Sequence, residues 1–404
     1  MRILQVHNRH RERGGEDVVV EHERELLEAG GHEVVPYVVD NPATAGGSLA
    51  ALAVAPWHRG AARRVVGAAR AARPDVVHVH NTWFALSPAV LTALSAEGWP
   101  TVVTLHNFRT LCANGLLLRD GRICHTCVGS HPWHAVRYRC YRGSVPLSAV
   151  AAATIEVARR RGVWPRDVDR FLVLDEMMVP LLEQGGVPRA RVTLRPNFVF
   201  DPGHRSRPPS AGHEVVLCGR LSEEKGVDVL LEAWQAASLP GLDLVVVGEG
   251  PLGDRLAARS VPGVTFVGPL DHGALLARLL AARALVFPSL CHEAGPLVPL
   301  EAAGAGLPLV LSQSVGMAGR AEAAGAAWTA PPGDVAAWVG ALNELSDDRR
   351  VDEVGLAARR LYEERHSPPA ALASLVAVYE SVASGTVQNG AADPADEGGR
   401  RGPA

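Results

Sequence analysis

Lysine is almost missing from this chain. Lys225 is the only one, against 39 arginines in 404 residues. No window of 18 or more apolar residues is free of charge, which excludes a transmembrane helix. The start, MRILQVHN, runs straight into polar residues. It reads as no secretory signal, so the expected location is the cytoplasm, including the inner face of the membrane. A composition that is 47% hydrophobic and 21% charged excludes disorder of the whole chain and a fibrous protein. The length exceeds one ordinary core and predicts two domains.

The arginine preference, with Ala and Gly enrichment, looks like coding bias. Where Arg stands nearly everywhere, one remaining Lys has two readings. It is a chance survivor, or its compact ammonium is needed in place of a guanidinium fork.

Charge is unevenly spread. Residues 1–200 carry 24 Arg against 18 acidic residues, and residues 201–404 carry 16 basic against 25 acidic. The first half is therefore expected to favour an anionic partner.

Short apolar runs alternate with helical patterns. ILQV (3–6), HEVVPYVV (32–39), PDVVHVH (74–80), PTVVTLH (100–106), FLVL (171–174) and RVTLRPN (191–197) read as strands. DPGHRSRPPSAG (201–212) reads as a linker. The alternation restarts with HEVVLC (213–218), LDLVVV (242–247), VTFVG (264–268), ALVFPS (284–289) and PLVLS (308–312). This pattern predicts an α/β protein of two doubly wound, Rossmann-like domains, with a ligand in the crevice beyond the carboxyl ends of the strands. The expected domains are 1–200 and 213–366. The amphipathic helix 367–384 is expected to pack back on the first domain. The tail 385–404 has no apolar pattern and is expected to be disordered.

In the second half, a strand leads to Gly219-Arg220 and then Lys225-Gly226 at a helix start. Two cations at a sheet's carboxyl edge suit a diphosphate. Further on, Glu293 follows a strand and Glu301 comes eight residues later. Between them, Gly295 allows close backbone approach. Pro296 suits a first helical turn, which leaves the amides of Leu297 and Val298 at a helix N-terminus, a ready anion site. Two carboxylates flanking an anion site need hydroxyl donors, which a sugar and a ribose supply.

GRLSEEKG followed by VVVGEGPL and then E-x7-E resembles the retaining GT-B glycosyltransferases of family GT4, the group 1 glycosyl transferases, over about 1–385. The resemblance implies a GT-B fold and transfer of a sugar from a nucleotide diphosphate, a UDP-sugar, to an acceptor hydroxyl. The acceptor would be a saccharide, a lipid-linked sugar or a small molecule. The resemblance makes Arg220 and Lys225 ligands of the donor diphosphate and gives it the amides of Leu297 and Val298. It puts Glu293 on the donor sugar and Glu301 on the ribose. It implies no metal for transfer. Cys291-His292 and Ala294-Gly295-Pro296 depart from common members, which leaves the donor sugar open.

In the first half, Gly14-Gly15 lie between the first strand and the first helix, where backbone can approach a phosphate. In the family this loop lies beside donor and acceptor. His106, ending PTVVTLH, matches a family histidine that points at the reacting sugar. His78 and His80 share one strand face and read as structural, with His80 and Asn81 also placed to line the acceptor side.

Cys112, Cys124, Cys127 and Cys140 follow as C-x11-C-x2-C-x12-C within an expected insertion at 109–145. Their spacing fits structural zinc, with His125, His131 and His134 as spare ligands. Reduced thiols packing the insertion are the competing reading. Disulfides would need an oxidising compartment. Trp133, Arg137, Tyr138, Arg139, Tyr141 and Arg142, then Arg159, Arg160, Arg161, Trp164 and Arg166, interleave cations and aromatics. They fit an anionic membrane surface or a solvated face; nucleic acid is not an expected partner. Two rivals stay open: an epimerase or phosphorylase of the same architecture, and a non-catalytic zinc-bearing nucleic-acid binder.

Overall fold

The computed structural model describes residues 1–9, 14–41 and 52–385. The first six-stranded sheet uses β1 (Arg2–Arg9), β2 (Glu33–Asp40), β3 (Val76–Val79), β4 (Thr101–Leu105), β7 (Arg170–Val173) and β8 (Val192–Leu194), in the order β2-β1-β3-β4-β7-β8. Between β4 and β7 lie two short strands, β5 (Leu118–Arg119) and β6 (Arg122–Ile123), which pair only with each other.

The second six-stranded sheet uses β9 (Glu214–Cys218), β10 (Asp243–Val247), β11 (Val264–Gly268), β12 (Ala284–Phe287), β13 (Leu309–Ser312) and β14 (Ala327–Ala330), in the order β11-β10-β9-β12-β13-β14. Every pairing within the two sheets is parallel. Two Rossmann-like domains result.

The central strands are buried on both faces and read as largely apolar runs, as helix-covered parallel strands do. β2 alternates exposed and covered residues and carries Pro36, which an edge strand tolerates because its outer amides need no ladder partner. In each sheet the strand order reverses beside the first strand, between β1 and β3 and between β9 and β12. Such a reversal opens a crevice at the carboxyl edge.

Asp271, Asp334 and Asp347 cap the helices His272–Ala281, Val335–Asn343 and Asp348–Arg365 by accepting from Ala274, Ala337 and Arg350 amides. The sequence reading missed β14 and the helix Asp348–Arg365.

Residues 201–212 differ from a loose tether. Arg205 donates to the carbonyls of Leu279 and Ala282, at 2.9 and 2.5 Å. Arg283 donates to Ser210 O at 2.7 Å, and Pro209 is buried. Arginine's several donors let one side chain satisfy several carbonyls, so the Pro-rich strap is fixed to the second domain.

The helix Pro368–Ala383 returns to the first sheet. Leu375, Val378 and Tyr379 pack on Ile3, Val76, Val102 and Leu172. Of the expected tail, 386–404 lies outside the described residues. Among the described residues no helix is long and apolar enough to cross a membrane.

Candidate functional site

A cavity of about 550 Å³ lies between the two carboxyl edges. From the second domain, Gly219, Lys225, Glu293, Gly295, Leu297, Val298 and Glu301 line it. From the first come Gly15, Glu16, His22, His106, Asn107 and Asn197. Gly15, His106, Lys225, Glu293, Gly295, Leu297, Val298 and Glu301, each given a role from the sequence, thus share one cavity. Arg220 is exposed and, like Gly14, is not on its wall.

Lys225 and Glu293 form an ion pair. Both sit at strand ends, after β9 and β12. Gly226 makes their approach possible. Its φ is +67°, and a Cβ there would lie 2.2 Å from Pro288 O, so neither the conformation nor the space admits another residue. Glu293 also accepts from Ser289 Oγ at 2.7 Å. Burial alone would raise its pKa, but Lys225 and the Ser289 hydroxyl outweigh burial and hold it below the usual carboxylate value. Burial likewise opposes the charge on Lys225, and Glu293 overrides it. The site therefore keeps one fixed cation and one fixed anion in contact.

The helix Leu297–Gly304 begins at Pro296, with no side-chain cap. The Leu297 and Val298 amides have no intrahelical partner, and Pro299 has no N–H to leave orphaned. Glu301, one turn inside, is buried and meets His272 Nε2 at 2.9 Å.

Gly295 is one point where the domains touch. Its carbonyl accepts from Asn197 Nδ2 at 2.7 Å. A Cβ on Gly295 would lie 2.7 Å from that nitrogen and 2.9 Å from Leu174 Cδ1. Asn197 Oδ1 is buried without a hydrogen-bond partner among the described residues, an acceptor held at the cavity wall.

Behind His106 lies a chain of buried polar groups that the sequence reading did not connect. His106 Nε2 is 3.0 Å from His80 Nδ1. His80 Nε2 is 3.3 Å from Glu23 Oε1, and Glu23 Oε2 is 3.0 Å from Arg195 Nη1. Tyr379 from the C-terminal helix and Thr104 hold His78 through its two nitrogens, each at 2.7 Å. Burial pushes the Glu23 pKa up, but His78, Arg195 and His80 together bring it well below its ordinary value.

An ionised Glu23 favours protons on the ring nitrogens that face it. His78 Nδ1 at 2.9 Å and His80 Nε2 at 3.3 Å both face Glu23 Oε1, and a proton on His80 Nε2 leaves a lone pair on its Nδ1. His106 then donates from Nε2 and keeps its Nδ1 lone pair for other partners. Glu23, His78 and His80 also bring three ligand atoms together. The Arg195 guanidinium already neutralises that carboxylate, so the cluster reads as a charged core.

Burial holds the His106, His292 and His366 pKa values down at about 4, against an ordinary 6.5. Between those values the unfolded chain binds more protons than the folded one, so stability rises with pH there. The thermal midpoint should fall as pH drops from about 6.5 towards 4. A midpoint flat across that window, measured by calorimetry, would contradict the buried, neutral histidines.

A second cavity, about 70 Å³, shares His106 and Asn107 and is otherwise lined by first-domain residues including His80, Asn81, Trp83, Arg109, Thr154 and Trp164. Arg109 lies 5.3 Å from the ring centres of both Trp83 and Tyr141. Trp164 is buried, and Tyr141 is turned towards Trp83. These two aromatics therefore leave the basic surface, where Trp133 and Tyr138 remain exposed.

The four cysteines line one small cavity and are not disulfide-bonded.

Residues 14–197 match the glycosyl transferase 4-like domain family, and residues 212–348 match the family of glycosyl transferases group 1. A glycogen synthase of Mycobacterium tuberculosis is 32% identical over 294 residues, covering 70% of this chain. The chain spans 63% of that relative's length. A GDP-mannose-dependent alpha-(1-6)-phosphatidylinositol dimannoside mannosyltransferase of Mycobacterium tuberculosis is 38% identical over 104 residues, covering 25% of this chain and 27% of the relative.

Among solved structures, sucrose-phosphate synthase from Thermosynechococcus elongatus superposes with a TM-score of 0.70 at 15% identity, covering 95% of this chain and all of that one. Anabaena HepE in complex with UDP gives 0.64 at 15% identity, covering 94% of this chain and all of that one. These likenesses identify the fold as GT-B.

Proposed function

The chain belongs to the group 1 glycosyltransferases, and from that premise we propose that it moves a sugar from a UDP-sugar to an acceptor hydroxyl with retention of configuration. The observation that carries this reading is the shared cavity. It gathers Lys225, Glu293, two uncapped helix amides and Glu301 on one wall and His106 on the other.

In this reading the diphosphate docks on the Leu297 and Val298 amides and draws Lys225 from Glu293. Glu301 leaves His272 and accepts from the ribose hydroxyls. Glu293 accepts from the donor sugar. His106 presents its Nδ1 lone pair to a sugar hydroxyl. Arg220, at the rim, reaches the diphosphate only by folding inward.

The bond from the anomeric carbon to the phosphate oxygen breaks, and the acceptor oxygen bonds to the same face of that carbon. The acceptor proton passes to the departing phosphate. Lys225 and the helix amides stabilise the charge that develops there. Contact between the domains keeps water from competing. The charged side chains and helix end supply this stabilisation, and no metal is needed for the transfer.

Calorimetry with UDP tests the donor side. Glu301→Ala should weaken UDP binding by about 1.5–3 kcal/mol, the scale of a hydrogen bond to a charged group. Unchanged affinity removes Glu301 from the ribose. Tighter binding of GDP than UDP to the wild-type protein would replace the UDP-sugar by a GDP-sugar, as in the mannosyltransferase relative.

A further inference from the structure

We propose that Cys112, Cys124, Cys127 and Cys140 bind one zinc ion, which seats the Cys124–Cys127 loop against the second domain beside Glu293. This site does not depend on the proposed reaction.

The insertion has little else to hold it. From Leu118 to Ser144 only Pro132 and Ala135 are buried. β5 and β6 are two residues each, and Ile123, Trp133 and Tyr138 face outward. An isolated two-stranded hairpin is marginal in water. Yet the segment keeps non-glycine residues at positive φ: Asp120 at 51°, Arg139 at 50° and Arg142 at 53°. Such conformations persist only where surrounding structure enforces them. A segment so poor in core normally needs a covalent or metal staple.

The cysteines supply the parts of one. Cys112 follows the turn at Phe108, Cys124 and Cys127 follow β6, and Cys140 follows the short helix His134–Arg137. All four converge on one cavity of about 20 Å³, a space on the scale of one water or one ion. Cys218 and Cys291 lie elsewhere, in the second domain.

Among the described residues, no three of the four sulfurs lie within 4.8 Å of one another. Cys112 Sγ donates to Asn114 Oδ1 at 2.9 Å, and Cys124 Sγ lies 3.2 Å from Thr126 Oγ1. Zinc binding would draw both sulfurs from these partners. Turning χ1 swings a sulfur towards the cavity at small cost, which four zinc–thiolate bonds exceed.

The consequence lies across the cleft. His125, inside the C-x2-C loop, stacks on His292 with ring centres 5.3 Å apart and planes 11° apart. Their Nε2 atoms are 3.1 Å apart, and Phe108 packs on the same ring at 5.8 Å. His292 immediately precedes Glu293. Fixing this loop therefore fixes a bridge between the domains at the edge of the cavity.

The test uses the full chain, purified under reducing conditions with no metal added. Metal analysis should find about one zinc per chain, and X-ray absorption four sulfur ligands near 2.3 Å. The absence of bound metal, with four freely titrating thiols, overturns the site. So does a mass showing disulfides among these cysteines. Hydrogen exchange then tests the bridge. Removing zinc with a chelator should speed exchange in 118–144 and around His292, and adding zinc should restore protection. Unchanged exchange around His292 overturns the bridging role even where zinc is found. A Cys124→Ser/Cys127→Ser variant that folds should lose the metal. If it does not fold, the wild-type metal analysis decides alone.

Discussion

Replacing Lys225 with alanine should lower kcat by about 10²–10³-fold, the loss expected for one preorganised group facing developing charge. The ammonium is a partly buried cation on the cavity wall, paired with Glu293 and 5.4 Å from the Phe287 ring centre. Without it, Glu293 loses the charge that holds its pKa down. Burial then pushes that carboxyl towards its protonated form. On the proposed reading the variant thus loses stabilisation of the leaving diphosphate and alters the group that would hold the sugar.

Lys225→Arg keeps the charge but should not restore the rate. A planar fork is larger than an ammonium and directs its donors differently. The space is already set by Phe287, Glu293 and the Gly226 turn. Turnover is read as nucleotide released from the sugar donor. Wild-type rates in either variant would sink the role given to Lys225.

The second-domain wall of the cavity was legible in the sequence because its parts follow strand ends within short stretches. Lys225 lies seven residues beyond β9, and the Glu293–Glu301 segment runs from β12 into one helix. A strand end followed by Gly, Pro and charge can be read locally. Arg220 shows the limit of such reading: strand position brought it to the carboxyl edge, but its side chain is exposed at the rim. The strap 201–212 has a linker's composition, yet arginine-to-carbonyl hydrogen bonds fix it to the second domain, and composition does not encode those partners.

The support behind His106 was illegible for a different reason. Its members come from the first helix, β3, β4, the end of β8 and the C-terminal helix. His78 and Tyr379 are 301 positions apart. One signal was nevertheless present. Glu23 falls in the charged run EHERE, which invites a solvated reading. It also follows Val19 by four residues and precedes Leu26 and Leu27 by three and four. That periodicity places it on the apolar face of the helix Gly15–Ala29, where all five of Val19, Val20, Glu23, Leu26 and Leu27 are buried. A charge on an apolar face requires a buried partner, and here that partner is Arg195.

Glu23→Ala should therefore destabilise the first domain by about 3–5 kcal/mol, because it leaves Arg195 as an uncompensated buried charge. Both side chains are sealed from solvent, at 0% and 1% exposure, so water cannot take the carboxylate's place. The substitution also removes the group that sets the His80 tautomer, and through it the proton on His106. The urea midpoint of the first unfolding transition reads the stability. Nitrogen NMR of His106 reads the tautomer, which should be Nε2–H in the wild-type protein. A purely packing role for Glu23 would move the midpoint and leave the tautomer alone. Charge pairing makes a further demand. Glu23→Gln/Arg195→Met removes both charges and should be less destabilising than Glu23→Ala, since a buried pair replaced by neutral groups costs far less than a pair broken on one side. A double variant as unstable as the single one would mean that packing of Glu23, and not its charge, holds the helix to the sheet.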